Sequence, residues 1–252
     1  MRLDILLALA MLTGVSPAPS QQAARDYDKS HSIPPFGQIF ISNTSGTIKV
    51  SACEGKEVHV AATINGPDRE FLRIQDNSTP GRVEIFPRYL QFGKGNASVD
   101  FDVRVPRGID YHLNVWSFSG RVEMDGARGR IVARSNSGDV SMKKVRGFAM
   151  ASSVSGSVSG ELERTRETNN VLYTSISGNI AVEAPADVDA TIDMSSHSGG
   201  IQTDFPVEVK DMRYGPGKLA KLKLGSGRQI VSMRSTYGRV SLTRQKPAPA
   251  PK

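Results

Sequence analysis

The sequence is poor in cysteine, in aromatic residues and in long apolar runs, and each scarcity excludes something. A single cysteine, Cys53, rules out an intrachain disulfide. Aromatics make up 6% of the 252 residues, so a core must be built mainly from aliphatic side chains. The same scarcity argues against a nucleic-acid partner, because base stacking needs interleaved aromatics. Beyond the N-terminus no segment reaches the roughly 18 apolar residues that would cross a membrane as a helix. No segment holds a 3.6-residue apolar period over three turns, so helix is expected only in the leader. The four histidines, His31, His59, His112 and His197, are scattered, without the spacing of a metal site. Phosphate-binding glycine loops and calcium-binding nonapeptides are absent as well. No cofactor is expected.

What is present is a phrase, Ser-x-Ser-Gly-x-(Val/Ile). Copies begin at Ser117, Ser135, Ser153, Ser175 and Ser196; a weaker copy begins at Ser235 and a partial one covers 44–48. Cut at each leading serine, the units run 117–134, 135–152, 153–174, 175–195 and 196–234, the last long enough to imply an insertion. Self-similarity at such a period marks a repeat architecture. Within the first unit Val122-Glu123-Met124 alternates, Asp125 to Gly129 turns, and Arg130 to Arg134 forms a second short run. Period-2 alternation means a strand with one buried face.

Aligned unit by unit, the first run gives a column Val122, Val140, Val158, Ile180, Ile201, Val240 and a second column Met124, Met142, Gly160, Val182, Thr203, Leu242. The second run gives Ile131, Ala149, Val171, Ile192, Val231 and Ala133, Ala151, Tyr173, Met194, Met233. In the first run the intervening column, Glu123, Ser141, Ser159, Ala181, Gln202 and Ser241, is filled by small and polar residues. The expected fold is therefore all-β, a single-stranded β-solenoid (β-helix-like) with rungs of about 18–22 residues and two short strands each. At about 4.8 Å per rung, six rungs make a rod of roughly 25–30 Å. Gly120, Gly138, Gly156, Gly178, Gly199 and Gly238 form a structural row of corners, where positive φ is expected. The flanking serine hydroxyls are expected to bond local backbone or one another up the stack. A nucleophilic serine would need a base beside it, and no repeated His or Asp accompanies the row.

Along the chain, residues 1–24 read as a secretory signal: Arg2, an apolar run from Ile5 to Leu12, and cleavage after Ser20 or Ala24. Asp4 departs from that pattern. No cysteine closes the segment, so no lipid anchor is expected. Residues 25–115 read as a strand-rich cap, opening on a polar stretch over 25–36. The repeats occupy 116–245, with an inserted hairpin near 206–227 expected to protrude. Residues 246–252 are a Pro/Ala tail. The chain is read as exported, to the periplasm, the cell envelope or the medium.

The formal charge is +7, with basic residues clustered in two neighbouring units. Arg121, Arg130, Arg134, Lys143 and Lys144 could align at stacked corners into one stripe that attracts acidic glycan or an anionic envelope surface. The alternative is a solvated surface that blocks edge-to-edge stacking. Asp187, Asp189 and Asp193 cluster in sequence and raise the thought of a glycan-cleaving site.

Ser45-Gly46-Thr47-Ile48-Lys49-Val50, then Lys56 to Val60, the strand and Val-Pro-x-Gly segment over Val99 to Gly108, and the tandem Ser-Gly-x-(Val/Ile) strands occur in an order that resembles the bacterial "putative adhesin" family, a β-strand-repeat domain of unknown function. The resemblance covers roughly residues 30 to 245. It implies an adhesin-like envelope domain and lends no catalytic residues. The expectation is thus a non-enzymatic, exported β-solenoid that presents a rigid polar and basic surface to envelope polymers or a protein. The alternatives are a carbohydrate-active β-helix enzyme acting on acidic polysaccharide and a pure scaffold or sensor domain.

Overall fold

Short alternating runs separated by corners lay the chain down as strands. The structure, a computed structural model, describes residues 25–245; the expected leader and the Pro/Ala tail lie outside the described residues. The N-terminal strands are β1 (Tyr27–Ser32), β2 (Gln38–Asn43), β3 (Ile48–Cys53), β4 (Glu57–Asn65), β5 (Leu72–Asp76), β6 (Arg82–Tyr89) and β7 (Ser98–Pro106). The repeats supply β8 (Tyr111–Ser117), β9 (Val122–Asp125), β10 (Arg128–Ser135), β11 (Val140–Lys143), β12 (Arg146–Ser153), β13 (Val158–Glu161), β14 (Asn170–Ser175), β15 (Ile180–Ala184), β16 (Ala190–Ser196) and β17 (Ile201–Thr203). The chain ends with β18 (Lys210–Asp211), β19 (Lys218–Leu224), β20 (Gln229–Ser235) and β21 (Val240–Arg244). A single 3-10 turn at Arg69–Phe71 is the only helical element among the described residues. The polar stretch over 25–36 contains a strand, β1, that its composition does not announce.

The strands form two large sheets and no closed barrel. Sheet I runs β1-β4-β7-β3-β9-β11-β13-β15-β21-β17, and sheet II runs β18-β19-β16-β20-β14-β12-β10-β8-β2-β6-β5. From β8 to β15 each unit places one strand in each sheet, parallel to its neighbours and in the register of the sequence columns. Val122 faces Val140, Val140 faces Val158, and Val158 faces Ile180. Ala133, Ala151 and Tyr173 are likewise successive partners. These side chains point inward and are buried between the sheets. Tyr173 needs room, and Gly160 provides it: a Cβ there would lie 2.3 Å from the Tyr173 hydroxyl.

The stack leaves chain order at both ends. The level formed by β2 and β3 lies between β6/β7 and β8/β9, and the final level, β20/β21, lies between β14/β15 and β16/β17. Thus Ile180 pairs with Val240, and Val240 pairs with Ile201. The segment over 206–227 does not protrude. Its strand β19 runs antiparallel along β16 and buries Ala220 and Leu222, closing the end of sheet II. Residues 25–115 are likewise more than a cap, since β2 and β3 form an internal level.

At the corners the serine hydroxyls bond backbone as expected, but the glycines work differently from expectation. None of Gly120, Gly138, Gly156, Gly178, Gly199 and Gly238 has a left-handed φ. They are glycines because the neighbouring level comes too close: a Cβ on Gly138 would lie 2.0 Å from the Gly120 carbonyl oxygen, and the other five meet a backbone oxygen at 1.9–2.2 Å. Each leading serine is buried, and all but Ser117, which only accepts from Gly120 N–H, bond in two directions. Ser135 Oγ accepts from Gly138 N–H at 2.8 Å and donates to the Gly120 carbonyl of the next level at 3.0 Å. Ser153 and Ser175 repeat the pattern. Ser235 Oγ then donates to Gly178, and Ser196 Oγ donates to Gly238, so the ladder follows spatial order and not chain order. In β2 the place of the serine is taken by buried Asn43, whose Nδ2 donates to the Val99 carbonyl at 2.7 Å.

Candidate functional site

Because the core takes every second residue, the residues between must face outward, and the two sheets present different chemistry. On sheet II the five adjacent levels from β8 to β20 carry His112, Asn114 and Trp116; Arg130, Val132 and Arg134; Phe148, Met150 and Ser152; Asn170, Leu172 and Thr174; and Ile230, Ser232 and Arg234. No carboxylate is among them. Val132, Met150 and Leu172 are successive partners in one column and are half-buried. Trp116 and Ile230 are each 45% exposed, and Phe118 at the adjoining corner is 50% exposed. The Trp116 and Phe118 rings lie 6.4 Å apart, tilted at 60°.

The arginines of this face lie against its apolar groups. The Arg130 guanidinium sits 5.0 Å from the Phe148 ring centre, and Arg134 Nη2 approaches Met150 Sδ at 3.8 Å. Stacking of a weakly hydrated guanidinium on such groups is favourable in itself. Arg130, Arg134 and Arg234 make no ion pair among the described residues, while seven other described arginines each have a carboxylate within 3.3 Å. Sheet I faces outward on its corresponding levels with Glu123 and Asp125, Ser141 and Lys143, Ser159 and Glu161, Ala181 and Glu183, and Ser241 and Thr243. That surface is small-residued, and its charges are acidic apart from Lys143.

The five basic residues singled out in the sequence therefore do not form one stripe. Arg130 and Arg134 share the outer face of sheet II. Arg121 is on the corner leading into sheet I and pairs with Glu123 at 3.7 Å and Asp139 at 4.0 Å. Lys143 ends β11 in register with Asp125 and Glu161. Lys144 occupies the opposite corner with φ 50°, where the preceding unit has Gly126 at φ 72°. Sequence columns give the face of a residue only within a strand; corners turn the chain, so neighbours in sequence part there.

Lys144 borders a cleft of about 330 Å³ together with Arg107, Asp125, Arg128, Arg146 and Glu163. Of its two carboxylates, Glu163 is engaged by Arg146. Arg128 pairs with Asp110 at 2.7 Å and Glu167 at 3.1 Å, and Arg146 pairs with Glu163 at 3.0 Å. The hydrogen bond that Arg128 donates to Asp110 raises the Arg128 pKa, and those that Arg146 donates to Glu163 raise the Arg146 pKa. These pairs join successive levels along one corner, the arrangement of a clasp. Asp187, Asp189 and Asp193 do not converge either. Asp187 pairs with Arg164 at 2.6 Å, Asp193 pairs with Lys221 at 3.4 Å, and Asp189 accepts from the turn at Ser226 and Gly227. His197 is exposed at its corner, and Cys53 is a free, half-buried residue closing β3. No group of three or more His, Cys, Asp or Glu among the described residues could hold a metal ion. No helix among them is long and apolar enough to cross a membrane.

Two stacked sheets of short parallel strands, tied by a serine–glycine ladder, define an all-β repeat domain. Residues 35–242 match Toastrack DUF4097, and the chain belongs to that family. Among solved structures it is similar to a "putative cell adhesion protein" from Clostridium sporogenes, at 11% identity and a TM-score of 0.54, covering 87% of this chain and 99% of that one. More distant are a "putative adhesin" from Bacteroides fragilis, at 16% identity and a TM-score of 0.36 with 87% and 96% covered, and a "putative lipid binding protein" from Parabacteroides distasonis, at 14% and 0.34 with 89% and 98% covered. No curated protein matches the sequence.

Proposed function

We propose that this chain is an exported, non-enzymatic, adhesin-like binding module that works through the outer face of sheet II. The observation that carries this is the chemistry of five adjacent levels: half-exposed apolar side chains, three arginines without ion pairs among the described residues, and no carboxylate on the outward positions of those levels. An apolar patch rimmed by charge of one sign is a common mark of an interaction surface. The name of the Clostridium structure favours the same class. The fold suits the task, since a stack of parallel levels holds its outward side chains in fixed rows. In the central levels, β8 to β15, the parallel register of consecutive units supports reading the stack as a single-stranded solenoid with interleaved ends. The glycan-cleaving alternative has no converging carboxylates to support it, because each candidate is held in an ion pair or a turn.

The test is retention on envelope fractions. The Arg130→Ser/Arg134→Ser variant should lose most of the retention of the unaltered chain, and Arg121→Ser/Lys143→Ser should keep it. Equal retention of both variants would remove the face from consideration.

A further inference from the structure

The partner of this face can be narrowed by asking what would satisfy all its groups at once, taking the binding role proposed above as given. Three chemical demands coexist. Val132, Met150 and Leu172 form a half-buried apolar row, with Phe148 beside it. Arg130, Arg134 and Arg234 bring three positive charges without ion pairs. Trp116 and Phe118 offer large rings at one margin, about half exposed. A soluble acidic polymer answers the arginines and leaves the aliphatic row in water. A second copy of the same face answers the aliphatic row and sets arginine against arginine.

We propose that the outer face of sheet II docks on an anionic lipid bilayer. Acidic headgroups accept hydrogen bonds from the guanidinium groups, aliphatic side chains meet the upper part of the acyl region, and tryptophan sits at the level where its ring is apolar and its N–H stays wet. The long arginine side chains reach headgroups while their stems cover apolar surface. The opposite face strengthens the orientation. Glu123, Asp125, Glu161 and Glu183 project from the outer side of sheet I, so an anionic membrane attracts one side of the molecule and repels the other. The approach is planar: the five levels span roughly 20 Å by 20 Å, an area that contacts a patch of headgroups rather than a single one.

The chain itself contains the reporter, because Trp116 is its one tryptophan. The full chain is mixed with phosphatidylcholine vesicles with and without about 30% phosphatidylglycerol, and co-flotation and Trp emission are followed. Binding to the anionic vesicles, with a blue shift and quenching by brominated acyl chains, is expected, and phosphatidylcholine alone should leave both readouts unchanged. The Arg130→Ser/Arg134→Ser/Arg234→Ser variant should lose partitioning by roughly a hundredfold. Glu123→Lys/Glu183→Lys, on the opposite face, should retain the blue shift. Melting temperature checks that both variants fold; if the triple variant does not, Arg134→Ser alone serves, expected to weaken partitioning by roughly fivefold. No flotation with anionic vesicles overturns the proposal, as does flotation without a change in Trp emission. A parallel arm offers soluble polygalacturonate and whole envelope fractions. Retention on either through Arg130 and Arg134, with no vesicle binding, overturns the lipid assignment and leaves the binding role standing. Loss in every arm removes both.

Discussion

Gly138 carries no side chain because the level beneath it leaves no space: the Gly120 carbonyl oxygen occupies a position 2.0 Å from where a Cβ would be. That oxygen cannot yield, since it accepts the Ser135 hydroxyl. Gly138→Ala should therefore destabilise by about 3 kcal/mol or more, through displaced backbone. Gly200→Ala, at the variable position just after Gly199 in the copy that begins at Ser196, where nothing lies within 4 Å, should change stability by less than about 0.5 kcal/mol. Urea unfolding of the two variants decides the matter, and equal effects would discard the close-approach account. Tyr173 presents the converse case. Its hydroxyl is buried without a hydrogen-bond partner, and burial pushes its pKa upward. Tyr173→Phe removes an unsatisfied polar atom and should stabilise by about 1 kcal/mol. A fall of the same size in the unfolding free energy would mean the hydroxyl does useful bonding. The glycine row was legible as a set of corners, because its recurrence is plain in the sequence. Its reason was not, since the contact is between residues 18 or more apart that only stacking brings together.

At the level of strands, the sequence columns identify which residues pair and leave open which units adjoin. Val240 and Ile180 belong to the same column and are partners across 60 residues of chain, with Ile201 on the far side of Val240. Each unit exposes the same row of backbone donors and acceptors to the next, so periodicity cannot tell a sequential stack from an interleaved one. The extra length of the fifth unit is the one signal in the chain, and it pointed to an insertion without stating where the following strands return. The same blindness applies to β1, which is almost wholly polar apart from buried Tyr27 and is held to β4 by its backbone ladder and an Asp28–His59 contact at 2.6 Å. The interleaving has a measurable consequence. Strands β20 and β21 are last in the chain yet flanked on both sides, whereas β17 and β18 are edges. Amide exchange should find β20 and β21 as protected as β12 to β15, with β17 and β18 exchanging first. Rapid exchange throughout 229–244 would contradict the internal placement.

For the whole molecule, the open question of any stacked sheet is how its ends avoid joining other ends. Here the ends are tied down by carboxylates. At one end Asp76, which closes β5 in sheet II, accepts from Tyr27 of β1 in sheet I at 2.8 Å and from Lys29 at 3.3 Å, and so links the sheets. Burial alone would raise its pKa, but bonds from Ser78, Tyr27 and Lys29 outweigh that and hold it far below the usual carboxylate range. At the other end Asp189 accepts from Ser226 at 2.7 Å and from the Gly227 and Arg228 backbone, which lowers its pKa and fixes the turn between β19 and β20. A carboxylate whose pKa is lower in the folded state contributes stability that is complete above its unfolded value, near 4, and is lost as pH falls through the folded value. Acid should therefore release both ends before the central levels, and the freed edges should associate. Brief pepsin digestion between pH 4 and pH 2 should cut first within 25–36 and 206–228, with light scattering rising at the same pH. Asp189→Asn should produce the second set of cuts at the upper end of that range, because it removes the charge that the turn is built around. Cleavage inside β10 to β13 at the same pH as the ends would show that the carboxylates do not act as end clamps and that the stack opens as one unit.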